Sequence, residues 1–182
     1  MKTGPSRALA VALAVALLLS QPVAGQRPAT SRAEERLLRE VRHELVMLPY
    51  YTVFDNLEYK VRGYEVTLMG QVTMPTLKAD AEHSVKRIEG VEKVVNHIEV
   101  LPLSPADDRI RRAIYQTLFS SNSPLFRYGW GAVPSIHIIV RGGRVTFVGV
   151  VDNEADKNTA ILLANQVSGI FAVTNNLVVK KA

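Results

Sequence analysis

The chain has 182 residues, 22 lysines and arginines against 17 aspartates and glutamates, and no cysteine. Absence of thiols excludes disulfide bridging, thiol catalysis and a lipid-modified cysteine behind a leader. The charge is lopsided: residues 26–103 carry 11 basic and 12 acidic side chains, net −1, while 104–182 carry 9 and 5, net +4, so a role that depends on positive charge belongs to the second half.

The first 26 residues read MKTGPSRALAVALAVALLLSQPVAGQ, with Lys2 and Arg7 ahead of an apolar run from Ala8 to Leu19. Those twelve residues fall short of the ~20 that span a bilayer and fit the hydrophobic region of a secretory signal peptide, which is expected to be removed after Gly25. A retained anchor is the weaker alternative. Residues 26–34 are expected to be a linker.

Leu37, Val41, Leu45 and Leu48 then recur at spacings of four, four and three, predicting a helix over 32–47. Leu57, Tyr59 and Val61 alternate with Glu58, Lys60 and Arg62, Gly63 punctuates, and Val66, Leu68, Gly70 and Val72 alternate again, which predicts a hairpin. Pro75 can open a second helix, striped by Leu77, Ala81, Val85 and Ile88 and ended by Gly90, before a last strand from Val94 to Val100.

The order then repeats. Ile110, Ile114 and Leu118 stripe a helix; Ile136, Ile138 and Val140 lead into a Gly142-Gly143 turn; Val145–Val151 form a strand. A helix capped by Asp152 or Asn153 runs to about Val167, Gly169 stops it, and Val173–Val179 close the set. A shift of 79 aligns Val66–Val100 with Val145–Val179 without a gap, with ten of thirty-five positions identical, Gly70/Gly149 and Gly90/Gly169 among them. The fold class is α+β: two αββαβ modules, each a three-stranded mixed sheet covered on one face by two helices, the third strand parallel to the second. A unit of roughly 70 residues is marginal alone, so the modules are expected to pack as a fixed pair across the short linker LPLSPADD. Gly70 and Gly149 sit mid-strand, where a missing side chain permits a bulge or the close approach of a covering helix.

The V-T-x-x-G-x-V strand, the glycine twenty residues on, and the runs Gly90–Asn96 and Gly169–Asn175 resemble the BON domain, the bacterial OsmY and nodulation family. The resemblance covers about 35–103 and 107–180, with 104–106 between, and the first copy departs from it at Met74-Pro75-Thr76, where an acidic helix start is common. It implies a non-catalytic protein of the bacterial cell envelope, located in the periplasm behind its signal peptide, not a lipoprotein, and concerned with phospholipid binding or envelope maintenance under osmotic or other stress.

No catalytic constellation emerges. His43-Glu44 begins like a zinc-protease motif, but position 47 is Met and no second histidine follows, while His83, His97 and His137 show no ligand spacing. Asp152, Glu154 and Asp156 lack the glycine and distal glutamate of a calcium loop and are better read as helix capping. Arg141-Gly142-Gly143-Arg144 could suggest nucleic acid, but no G-x-x-G loop is present and the leader directs the chain out of the cytoplasm; a hairpin turn is the simpler account. No cofactor, metal or nucleic acid is expected.

The offset between copies is 73 at the first helix and 79 at the strands, so six residues are added within SSNSPLFRYGWGAVPS, 120–135. They bring Phe126, Arg127, Tyr128 and Trp130 together, with Arg111, Arg112, Tyr115 and Phe119 on the preceding helix. Aromatics among arginines suit an anionic phospholipid surface. They equally suit a docking site for envelope proteins, or apolar filling of the seam or sheet.

Overall fold

The computed structural model describes residues 32–131 and 133–181; the signal-peptide expectation lies outside them. The first module runs α1 (Arg32–Val46), β1 (Asn56–Arg62), β2 (Glu65–Val72), α2 (Pro75–Lys86), β3 (Lys93–Asn96) and β4 (Glu99–Val100). The second runs α3 (Pro105–Phe119), a short 3-10 helix (Phe126–Gly129), β5 (Ile136–Arg141), β6 (Arg144–Val151), α4 (Glu154–Ala164) and β7 (Ala172–Val179). In each, the hairpin is antiparallel and the strand after the crossover helix pairs parallel with the middle strand.

The apolar stripes do what their spacing requires. Leu37, Val41 and Leu45 of α1 and Leu77, Ala81 and Val85 of α2 bury against Val66, Leu68 and Val72. Ile110, Ile114 and Leu118 of α3 and Ala160 and Ala164 of α4 cover Val145, Phe147, Val151 and Leu177. An asparagine pins each crossover: Asn96 Nδ2 donates to the Lys78 carbonyl at 3.0 Å, and Asn175 Nδ2 to that of Lys157 at 2.7 Å.

Boundaries differ from the expectation at several places, α2 among them, which ends at Lys86 rather than running to Gly90. The first module's last strand is interrupted at His97-Ile98, where the Asn96 side chain takes the Ile98 N–H, so its sheet counts four strands. Helix α3 begins at Pro105, inside the stretch read as linker, because Ser104 caps it by accepting from Asp107 N. Helix α4 ends at Ala164, three residues early, with Asn165 as its C-cap; Asn153 is its N-cap.

The mid-strand glycines have a sharper cause than a covering helix. Gly70 and Gly149 hold φ of +110° and +127°, and a Cβ on either would run into the backbone carbonyl of the neighbouring strand, at Asn56 or Ser135. The expected bulge does not form, since the pairing runs one to one through Gly70 and Gly149; in the second module the next residue, Val150, donates its N–H to that same Ser135 carbonyl at 2.9 Å. Gly90 and Gly169, at φ of +92° and +88°, turn the chain after α2 and α4.

The modules are fixed to each other by the connection between α1 and β1. Val53 is buried in the second module's core, and its carbonyl accepts from Ile138 N at 2.8 Å on the free edge of β5. Tyr51 stacks on His137 at 5.5 Å and 23°, Phe54 meets Tyr115 edge-on, and Arg141 pairs with Glu99 at 2.7 Å. Asp55, wholly buried, locks this connection by accepting from the N–H and hydroxyl of both Thr52 and Thr73.

Two outcomes follow from these features. Gly149→Val should lower unfolding free energy by about 3 kcal/mol or more, combining overpacking of ~1–3 with a positive φ that costs a further ~1–3; denaturant titration measures it, and a wild-type midpoint would contradict the collision. Burial lowers the pKa of His137, with the Asp55 and Thr52 backbone and the Asp55 charge acting the other way. A depressed folded value means stability is complete above the unfolded pKa of about 6.5 and is lost as pH falls below it toward the folded value. The facing groups are Tyr51, Asp55 and, across the cleft, Arg42. The loss between pH 7.5 and pH 5 should be smaller in His137→Gln than in wild type, read as a shift in melting temperature.

Candidate interaction surface on the second module

The six added residues divide between core and surface. Leu125 and Tyr128 turn inward from the 3-10 helix and join the second module's core. Phe126 is half-buried and meets Trp130 edge-on at 5.4 Å, and Trp130 itself is 69% exposed.

A polar network holds this tip rigidly. The Tyr128 hydroxyl donates to Asp156 Oδ2 at 2.7 Å and accepts from Asp152 N at 2.9 Å and Arg127 Nη2 at 2.9 Å. Arg127 also pairs with the carboxylates of Asp152 and Asp156. Asp156 further accepts from Asn153 Nδ2, so the acidic cluster at the start of α4 is consumed by capping and by this network. Burial, then the bond to Asp156, push the Tyr128 phenol above its ordinary range. The backbone fits the same account: Gly129 lies against the Phe119 ring, where a Cβ would not fit.

Of the eight side chains expected to meet a lipid or partner, three are withdrawn from the surface. Arg111 is only 5% exposed; its guanidinium pairs with Asp108 and donates to the Val140 carbonyl at 2.7 Å, fastening α3 to the end of β5. Phe119 and Tyr128 are core. Arg127 reaches solvent but its charge is already engaged. Arg112, Tyr115, Phe126 and Trp130 remain at least partly exposed. Tyr115 lies edge-on to Phe119, which touches the loop carrying Trp130, and Arg112 sits one turn before Tyr115 on α3. Periodicity could not separate Arg111 from Arg112, since both fall outside the Ile110/Ile114/Leu118 stripe; what buries Arg111 is the carbonyl at the end of β5.

A concavity lies at the seam between α1, β1, β5 and β6, lined in part by Arg42, Tyr51, Tyr59 and His137. Its only trace in the sequence is His137, which alternates out of the Ile136/Ile138/Val140 stripe and is nevertheless buried. Among the described residues, no group of three or more His, Asp or Glu could hold a metal ion, and no helix is long and apolar enough to cross a membrane.

Fold and surface define a class: a tandem α+β repeat protein whose exposed features suit binding. The BON-domain model matches residues 34–102 and 106–181, and the chain belongs to that family. BON domains are associated with phospholipid binding and the cell envelope and are generally non-catalytic. No curated protein matches the chain. Among solved structures, it is similar to CdsD, a structural protein of the type III secretion system of Chlamydia trachomatis. That chain matches at 14% identity and a TM-score of 0.32, over 81% of this chain and 93% of the other. The C-terminal domain of CdsD matches at the same identity and score, over 80% and 98%.

The contrast between neighbouring arginines is testable. Arg111→Glu sets a negative charge beside Asp108 and against the Val140 carbonyl, and should cost about 3–5 kcal/mol. Arg112→Glu, on the exposed side, should stay within about 0.5 kcal/mol of wild type. Urea titrations of the two variants that superimpose would overturn the assignment.

Proposed function

We propose that the chain is an exported, non-catalytic binding protein of the bacterial envelope that associates peripherally and reversibly with anionic phospholipid through its second module. The observation that carries this reading is Trp130, 69% exposed at the end of a rigidly held 3-10 helix in the half of the chain with net charge +4. An indole held out by a fixed backbone suits the interfacial zone of a bilayer, and it loses little entropy on insertion.

Magnitudes decide how the binding must work. Each basic side chain near an anionic surface contributes about 1 kcal/mol. With Arg111 buried and Arg127 committed to its aspartates, Arg109 and Arg112 are the free arginines of α3, giving about 2 kcal/mol. A millimolar dissociation constant needs about 4. Burial of the Trp130 side chain adds roughly 1.5–3 kcal/mol, which brings the sum to about 3.5–5 kcal/mol and the dissociation constant to about 0.2–3 mM. Both kinds of residue are therefore required, and the association is weak enough to reverse.

The test is sedimentation of residues 26–182 with vesicles containing phosphatidylglycerol at low salt. Trp130→Ala and Arg112→Glu should each reduce the bound fraction several-fold, Arg62→Glu in the first module should change it little, and salt should weaken it. The emission of Trp130, the single tryptophan, should shift blue on adding these vesicles. Unmoved emission with no bound protein would sink the membrane reading. Capture of an envelope protein in the absence of lipid, lost in Trp130→Ala, would assign the same surface to protein docking instead.

A further inference from the structure

The cleft at the seam has a volume of about 570 Å³, within the range of small-molecule sites and at a module interface, where such sites concentrate. Its walls are apolar from both sides: Leu45, Val46 and Leu57 from the first module, Val133, Pro134 and Val150 from the second. Three polar groups converge on this lining. The Tyr51 ring lies flat on His137, making a hard wall that spans the two modules. His137 is 8% exposed, and its Nδ1 is buried with no hydrogen-bond partner. Arg42, on the exposed side of α1, makes no ion pair or hydrogen bond among the described residues, and no acidic side chain lines the cleft.

Each of these facts constrains the occupant. An unopposed cation beside an apolar hollow selects an anionic group joined to an apolar body, and the absence of lining carboxylates disfavours a cation or a zwitterion. The stacked ring pair offers a flat surface for an acyl chain or an aromatic ring. The Nδ1 of His137 makes no well-formed hydrogen bond although the Asp55 and Thr52 backbone lies close enough to act on the ring, so this side of the stack is an incompletely satisfied polar spot, which is rare in buried positions.

We propose that the seam cleft binds a small amphipathic carboxylate, its apolar body lying between Leu57, Val150 and the Tyr51/His137 pair and its carboxylate at Arg42. The perturbed groups agree with this placement: burial pushes the Tyr51 phenol up to about 12 and lowers His137. Binding here bridges α1 and β1 of one module to β5 and β6 of the other, so an occupied cleft holds the modules together. The site is separate from the Trp130 surface and does not depend on the membrane reading.

The probe is dodecanoate, kept below its aggregation concentration and titrated calorimetrically into the chain from residue 26 onward. One site per chain is expected. Arg42→Gln should weaken it about tenfold, the scale of a hydrogen bond to a charged partner. Dodecanol, which keeps the chain and loses the charge, should bind more weakly by a similar factor. Val150→Trp fills the hollow from a half-exposed strand position and should abolish binding while circular dichroism stays unchanged. The imidazole nitrogen resonances of His137, assigned by comparison with His137→Gln, should move on saturation. Both cleft variants should retain wild-type sedimentation with anionic vesicles, which separates a free carboxylate from the acyl chains of a bilayer and keeps this result distinct from the membrane test. Absence of dodecanoate binding, or binding untouched by both Arg42→Gln and Val150→Trp, overturns the proposal.

Discussion

The Val53 carbonyl, 2.8 Å from the Ile138 amide, joins the free edge of one sheet to a connection that belongs to the other module. An edge strand with open N–H and C=O groups is a liability, and a single αββαβ unit has little core with which to offset it. The connection closes part of that edge and at the same time places the Val53 side chain in the second core. Asp55 makes the arrangement rigid, because its buried carboxylate is satisfied only while Thr52 and Thr73 keep their places. The Tyr51/His137 stack, the seam cleft and the burial of Ile139 on the otherwise uncovered side of the second sheet all depend on this one docking.

Duplication supplied two copies of the same frame, and the frame is strict where backbone meets backbone. The mid-strand glycine recurs because a neighbouring carbonyl occupies the place of its Cβ, and the crossover asparagine recurs because it serves a helix carbonyl and a backbone amide together. Elsewhere the copies are free to diverge. The first uses its α1–β1 connection to hold its partner; the second lengthens the corresponding connection and projects it outward. On the proposed reading the two copies would divide assembly from recognition, in keeping with the shift of positive charge into the second half.

The lengthened connection carries its own support. A loop bearing an exposed tryptophan would lose much of its affinity in ordering costs if it were mobile. Here Leu125 and Tyr128 bury, and the Tyr128 hydroxyl, Arg127, Asp152 and Asp156 satisfy one another, so the backbone under Trp130 is tied to the first turn of α4. Arginines that would otherwise add free surface charge are engaged within the module: Arg127 with the aspartates of this network and the buried Arg111 against the end of β5. On the proposed reading, binding would rest on fewer residues than composition suggests, with the apolar contribution comparable to the electrostatic one.

The order of elements, the strand directions, the apolar stripes and the special status of Gly70 and Gly149 were legible in the sequence, because each is a local periodicity or a repeated irregularity. The helix start after Asn153 was readable from capping chemistry, while the start at Pro105 fell in a stretch that read as linker. Tertiary structure alone decided which aromatics and arginines of the second module face water. Tyr128 and Trp130 are two residues apart in a loop without periodicity, and only the position of Asp156 on a distant helix turns one in and leaves the other out. It also decided that His137, on the side of β5 away from its own helices, is buried, since the group that covers it is Tyr51 of the other module. Contacts between elements far apart in the chain leave no pattern within either segment, so the seam and its cleft became visible only when the two modules were placed together.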